Sequence, residues 1–223
     1  TAGADVTFTS SNDAITFGTA NILLGNGSDL VVTTGSGAGN IGVVAITGNS
    51  VEDVTLNAAA GDVTVGQIGA AAAEINVVAI TGATINLGGD IKTDDAGDVD
   101  LNGAVVLTAA VEIDTSAGNG TVDLSSTLNG AQTFAISSGS GAIAIQGVTG
   151  GTTALTSLTI NAAGTGTIEV TNIGAGAAGV TGATAIGNAA TTTLTLDGTV
   201  YNTDGTQTYT AAAGNTIDLT SAT

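Results

Sequence analysis

Asp98-Val-Asp100-Leu-Asn102-Gly103 sets oxygen-bearing side chains at alternate positions ahead of a glycine, with Asp94 and Asp95 just upstream. Clustered carboxylate and amide oxygens are what a hard cation needs, and the spacing is the opening of a calcium-loop pattern. The twelfth position is Ala109, so the bidentate acid that closes an EF-hand loop is missing. The same alternation puts Asp98, Asp100 and Asn102 on the outer side of a strand whose Val99 and Leu101 point inward, and a solvated acidic face follows from it. Calcium on Asp98, Asp100 and Asn102 is the metal site the sequence offers, and calcium is its one candidate cofactor. Glu112 and Asp114 repeat the outward pattern beside Val111 and Ile113.

Other chemistries find less support. Gly174-Ala-Gly176-Ala-Ala-Gly179 has the letters of a dinucleotide-binding fingerprint, but that fingerprint works only where a helix N-terminus follows to hold the pyrophosphate. The next residues, VTGATAIGNAATTT, are rich in Thr and Gly, and a glycine turn is the simpler reading. Nucleophile triads need a histidine or equivalent base, and lyase chemistry uses cationic side chains to stabilise anions. The chain has no His, no Arg and one Lys, Lys92. Paired carboxylates could hydrolyse a glycoside, with Asp94, Asp95, Asp98 and Asp100 as candidates. Two Tyr, three Phe and no Trp leave little to build a sugar platform. The expectation is a non-enzyme.

The elements that position these residues are read from apolar pairs two residues apart. Val54/Leu56, Val63/Val65, Val99/Leu101, Val111/Ile113, Phe134/Ile136, Leu158/Ile160 and Leu194/Leu196 are examples, restarted by Gly, Asn and Asp. A period of two is the signature of strands with one buried side. Asn-Gly and Asp-Gly steps, among them Asn102-Gly103, Asn119-Gly120 and Asn129-Gly130, bend or reverse the chain between them. Pairs recur about every ten residues, and two or three such units close one coil of a parallel β-helix. At about 20 residues per coil and about 4.8 Å per rung, the rod would be on the order of 50 Å long. An antiparallel β-sandwich is the alternative, since it too uses short strands at this spacing. The absence of proline favours the helix, as do the repeated words, which recur at the long, similar spacing that successive coils would require; the chain is read as one domain over residues 1–223.

Repeats are visible by eye. VVAITG occurs at Val43–Gly48 and again at Val77–Gly82; Asn129-Gly-Ala-Gln-Thr-Phe134 is echoed by Asp204-Gly-Thr-Gln-Thr-Tyr209. Val54-Thr-Leu-Asn-Ala-Ala-Ala-Gly returns as Leu158-Thr-Ile-Asn-Ala-Ala-Gly. Degenerate repeats of this kind belong to stacked units that cannot each bury a face alone. The Asn/Asp-Gly-x-Gln-Thr-Phe/Tyr word, the Leu-Thr-Ile-Asn-Ala-Ala-Gly segment and the stretch from Gly147 to Leu158 resemble the repeats of large bacterial exoproteins of the filamentous haemagglutinin type. The resemblance lies in composition and short words spread over most of the chain. It implies a secreted, right-handed β-helix forming the shaft of a surface fibre or adhesin.

Nineteen acids against one base give a formal charge of −18, which repels nucleic acid and anionic membranes. No apolar run is long enough for a membrane insertion, and no Cys is present for disulfides. A chain beginning at Thr1 without any Met is read as a processed mature chain or as a segment of a longer one, and removal of a signal peptide would fit the expected extracellular or cell-surface location. The expected function is a self-assembling surface filament or adhesive fibre. Subunits would associate head to tail as a homopolymer, with Val6, Phe8, Ile217 and Leu219 at the junction. The alternative is a calcium-dependent adhesin shaft or surface-layer module with a glycan or matrix ligand.

Overall fold

Short strands with one apolar side can bury that side only by stacking on one another. The computed structural model, which describes residues 3–49, 51–161 and 166–220, has this arrangement. Among those residues there are twenty-one strands and no helix. All pairings between the named strands are parallel. The protein is therefore a parallel β-helix, and the sandwich is excluded.

The chain winds through three faces per coil. On the first face Val6 pairs with Leu30, followed upward by Val54, Val78, Val99, Val122, Ile143, Ile168, Leu194 and Ile217. Successive partners are 21 to 26 residues apart, so a coil is a little longer than the spacing of apolar pairs suggests. Ten rungs on this face make nine complete coils, about 43 Å of rod at about 4.8 Å per rung. The third face carries a column of identical side chains: Ile22, Ile46, Ile68, Ile91, Ile113, Ile136, Ile160 and Ile186, ending in Tyr209. The second face runs from Ile15 to Leu128 in strands and continues as single bridges through Thr149 and Ile173 to Tyr201. Over those last coils a fourth line of bridges, Leu155–Val180–Thr203, is added.

The apolar pairs from Val54/Leu56 to Leu194/Leu196 all point into this thin core and are buried. Each such side chain contributes roughly 1.5–3 kcal/mol by leaving water, so the aliphatic columns are the main source of stability. β-branched Val and Ile suit the role because in-register stacking repeats one rotamer from rung to rung. Of the five aromatics only Phe134 is fully buried.

Corners are built from hydroxyls and glycines. Thr34, Thr93, Thr115 and Ser138 are buried where a strand ends. Each donates its hydroxyl to the carbonyl of Gly39, Gly97, Gly120 or Gly141 respectively, at 2.6–2.8 Å. Each of those glycines stands two residues before the next inward residue, Ile41, Val99, Val122 or Ile143. The glycine is required because coils touch there: a Cβ on Gly120 would lie 2.0 Å from the carbonyl oxygen of Gly97. Asn102-Gly103 lies inside one strand, β10 (Val99–Leu107), where it forms a bulge that bends the first face into the second.

The repeated words do not mark successive coils. Val43–Gly48 runs along the second and third faces, whereas Val77–Gly82 lies on the first. Val54 likewise sits on the first face and Leu158 on the third. In the second copy of that word, residues 162–165 lie outside the described residues. The repeated unit is one face with its corner, not one coil.

Candidate functional site

Asp98, Asp100 and Asn102 lie on the outward side of their strand, as the alternation requires. They are not gathered into one cradle. Asp98 stands at the corner before the strand, where its Oδ1 accepts the backbone N–H of Thr121 at 2.7 Å. Asn102 pairs with Thr81 across the rungs. Asp100 stacks directly on Asp123, an acid the calcium-loop spacing does not include. Partial burial first, then the charges of Asp123 and Asp98, push Asp100 above the ordinary carboxylate range. Asp123 has its own support, since the side-chain amide of Gln146 donates to both its oxygens at 2.9 and 3.1 Å. Among the described residues no group of three or more His, Cys, Asp or Glu is gathered that could hold a metal ion. The glycine run Gly174–Gly179 is followed by a bridge at Val180 and the strand Thr184–Ile186 rather than by a helix, so it is a turn.

Most of the acids serve the stack instead. At the position just before each of the first three first-face strands, Asp5 accepts the amide of Asp29, Asp29 that of Asp53, and Asp53 that of Val77, at 2.9–3.3 Å. Asp90 accepts the amide of Glu112 one coil above at 2.9 Å. The lone base, Lys92, sits between Asp114 at 3.4 Å and Glu112 at 3.6 Å. Burial lowers the pKa of its ammonium, but the charges of Asp114, Glu112 and Asp90 outweigh that and raise it above the ordinary value.

Glu52 was not among the residues singled out from the sequence, although a signal was there. It is in phase with the inward Val54 and Leu56, so the period of two sends it into the core. The side chain is fully buried. Its Oε1 accepts the N–H of Gly27 in the coil below at 2.9 Å, and its Oε2 accepts those of Asn49 and Val51 at 2.7 and 3.3 Å. Burial raises its pKa, but the backbone donors of Asn49, Gly27 and Val51 more than offset this and hold it below the usual value. It is a rivet between two coils.

The two ends of the rod differ from its body. Among the described residues the exposed large apolar side chains are Val6, Phe8, Leu23, Val44, Val51, Ile217 and Leu219; all but Val44 and Val51 belong to the first or last rungs. The four junction residues expected from the sequence are thus uncovered, whereas Leu23, beside the inward Ile22, is exposed on the outer side of its strand. Strand β1 (Val6–Thr9) pairs only with β4 (Leu30–Thr33), and β21 (Thr216–Leu219) only with β19 (Thr193–Leu196). Each therefore presents a free hydrogen-bonding edge. Aromatic pairs mark both ends: Phe8 meets Phe17 edge-on with ring centroids 5.0 Å apart, and Tyr201 meets Tyr209 at 6.3 Å. Tyr201 is anchored by donating its hydroxyl to the carbonyl of Val170 and accepting the N–H of Gly198, both at 2.8 Å; burial pushes its pKa up to about 12. In the sequence, the clustering of aromatics at residues 8 and 17 and again at 201 and 209 was the available signal. Searched against family models, curated proteins and solved structures, the chain matches none.

Proposed function

We propose that this chain is a structural, non-catalytic subunit whose coils stack end to end with further copies to form an extracellular filament or adhesive fibre. The observation that carries the reading is the pair of open edges among the described residues: β1 and β21 each pair on one side only, and both leave apolar side chains uncovered at inward positions, Val6 and Phe8 on one, Ile217 and Leu219 on the other. A second copy supplies the required cover because its first coil repeats the strand spacing and inward phase of every coil within the rod. The words shared with bacterial exoprotein repeats support the extracellular and fibrous side of this reading, as does a corner-to-corner hydrogen-bond ladder that leaves few loose loops for proteases.

Like charges on both partners oppose the joint, and salt screens them, so assembly should strengthen with ionic strength. Purified chain, concentrated in low and high salt, should give rods about one coil-stack wide by negative-stain electron microscopy, longer in high salt. Val6→Asp combined with Phe8→Asp should leave the circular dichroism unchanged and prevent the rods. Uniform short particles at high concentration, in salt and with added calcium, would overturn the proposal. A second reading, a calcium-dependent adhesin shaft or surface-layer module for a glycan or matrix ligand, draws on the stacked Asp100 and Asp123. A bridging cation would relieve their repulsion.

A further inference from the structure

Asn12, Asn40, Asn119, Asn129 and Asn172 each accept a backbone N–H from the coil above through Oδ1. An asparagine in that role keeps a second group, the amide nitrogen Nδ2, which an aspartate lacks. Among the five, Asn119 alone is followed two positions on by a hydroxyl residue, in Asn119-Gly120-Thr121. Asn-x-Ser/Thr with x other than proline is the acceptor pattern for N-linked sugars. The chain holds it at one other place, Asn26-Gly27-Ser28.

We propose that Asn119 is an acceptor site for N-linked glycosylation on the folded rod. Its Nδ2 forms a bond to the anomeric carbon of a sugar carried as a diphosphate ester. The bond from that carbon to the diphosphate oxygen breaks, the diphosphate leaves with the electron pair, and Nδ2 gives up one proton. An external glycosyltransferase and its sugar diphosphate supply catalyst and donor. Asn119 and Thr121 are both exposed, at the corner where the third face turns into the first ahead of β12 (Val122–Leu124). The N–H of Ser140 holds Oδ1 at 2.9 Å, so the planar amide turns Nδ2 away from that coil, and among the described residues Nδ2 donates to no acceptor. Glycosylation replaces one hydrogen on Nδ2 and leaves the carbonyl oxygen an acceptor, so the bond to the next coil survives it.

The second match differs in the fold. Asn26 is exposed, but Ser28 is buried and the N–H of Gly27 is committed to Glu52 in the next coil, so folding withdraws that acceptor pattern. The position of Asn119 also gives a sugar something to do. From Leu124 to Ile168 the chain carries no charged residue, so repulsion between neighbouring rods is weakest over the coils just above this corner. A hydrated sugar rooted at their lower border shields the stretch that carboxylates leave bare.

The test incubates the folded chain with a soluble asparagine-directed glucosyltransferase and UDP-glucose, and reads intact and peptide masses. The chain should gain one hexose, on Asn119, with Asn26 unmodified. Thr121→Ala breaks the pattern but keeps the Asn119 amide and its bond to Ser140, so it should gain none while its circular dichroism stays unchanged. The glucosylated chain should melt at the same temperature as the unmodified one, because Oδ1 still accepts the Ser140 N–H. No hexose on the folded chain, hexose on Asn26 in preference to Asn119, or hexose retained by Thr121→Ala would overturn the assignment. A lowered melting temperature after glucosylation would overturn it too, since the sugar would then be breaking the bond between coils. Every one of these outcomes is read on single rods and stands apart from whether copies polymerise.

Discussion

Glu52→Gln tests whether the buried carboxylate fastens adjacent coils. The replacement keeps shape and volume but turns one oxygen into an N–H donor. Three backbone N–H groups converge on the two carboxylate oxygens at 2.7–3.3 Å, and the pocket leaves no room to swing away. A Cβ on neighbouring Gly48 would already lie 2.5 Å from Oε2. In its better orientation the amide oxygen serves Asn49 and Val51, and the amide nitrogen then faces the N–H of Gly27. One buried donor is left unpaired at roughly 1–3 kcal/mol, and two charge-assisted bonds become neutral ones, so the total loss is about 3 kcal/mol. Urea unfolding at neutral pH should show this loss. Because the folded pKa of Glu52 lies below its ordinary value of 4.5, the stabilisation it provides is complete above that value and disappears as pH falls through the folded pKa. The gap between wild type and variant should therefore close in acid. Equal urea midpoints at neutral pH, or a gap that persists unchanged in acid, would refute the assignment.

Four further substitutions, one of them a control, test the core, the corners and the acidic face. Thr149 has a buried hydroxyl without a hydrogen-bond partner in the second-face column, so the isosteric Thr149→Val should stabilise the rod by about 1 kcal/mol in urea titration; a loss would mean that the hydroxyl is bonded. Gly120→Ala drives a methyl to 2.0 Å from the Gly97 carbonyl oxygen and should cost roughly 1–3 kcal/mol by forcing two coils apart. Gly25→Ala, whose nearest contact is Ser28 Oγ at 3.7 Å, should be close to neutral by the same measurement. Asp100 carries a folded pKa above its ordinary value, so its ionised form is disfavoured by the fold. Asp100→Asn should raise the melting temperature at neutral pH, and the advantage should vanish as acid protonates the wild-type carboxyl. Were calcium to bridge Asp100 and Asp123, millimolar calcium would raise the wild-type melting temperature and leave that of Asp100→Asn unmoved.

The strands were legible in the sequence because a period of two is a local property: Val99/Leu101 or Leu158/Ile160 declares its inward side without reference to anything distant. The coil was less so. Its length depends on how many faces a corner hydroxyl and glycine close off, and Thr34, Thr93, Thr115 and Ser138 reveal that role only once the carbonyls of Gly39, Gly97, Gly120 and Gly141 come within reach. The identical words at Val43 and Val77 misled for the same reason, since a face-and-corner unit fits any of the three faces. Of the candidate site, the outward placement of Asp98 and Asp100 could be read, but their partners could not. Thr121 and Asp123 are 23 residues away, one coil along, a distance fixed by corner lengths and not by any motif.

The charge of the rod makes sense against this background. If the inter-coil ladder needed only an acceptor ahead of each strand, asparagine would serve as well as aspartate. It does so at Asn12, Asn40, Asn119, Asn129 and Asn172, each of which accepts an amide from the next coil. The carboxylates at Asp5, Asp29, Asp53, Asp90 and Asp98 make the same bond while adding charge, so the fold gives no reason for the charge itself. Its effect lies outside the single rod. A long parallel stack of Thr-, Ala- and Gly-rich faces is a surface on which like rods would adhere side by side, and a formal charge of −18 opposes that along the whole length. In the proposed filament, end-to-end contact would cover the open backbone edges along with Val6, Phe8, Ile217 and Leu219, and this gain must exceed the repulsion of a few end charges. Acidic flanks and apolar ends would then favour growth in one dimension over growth in three.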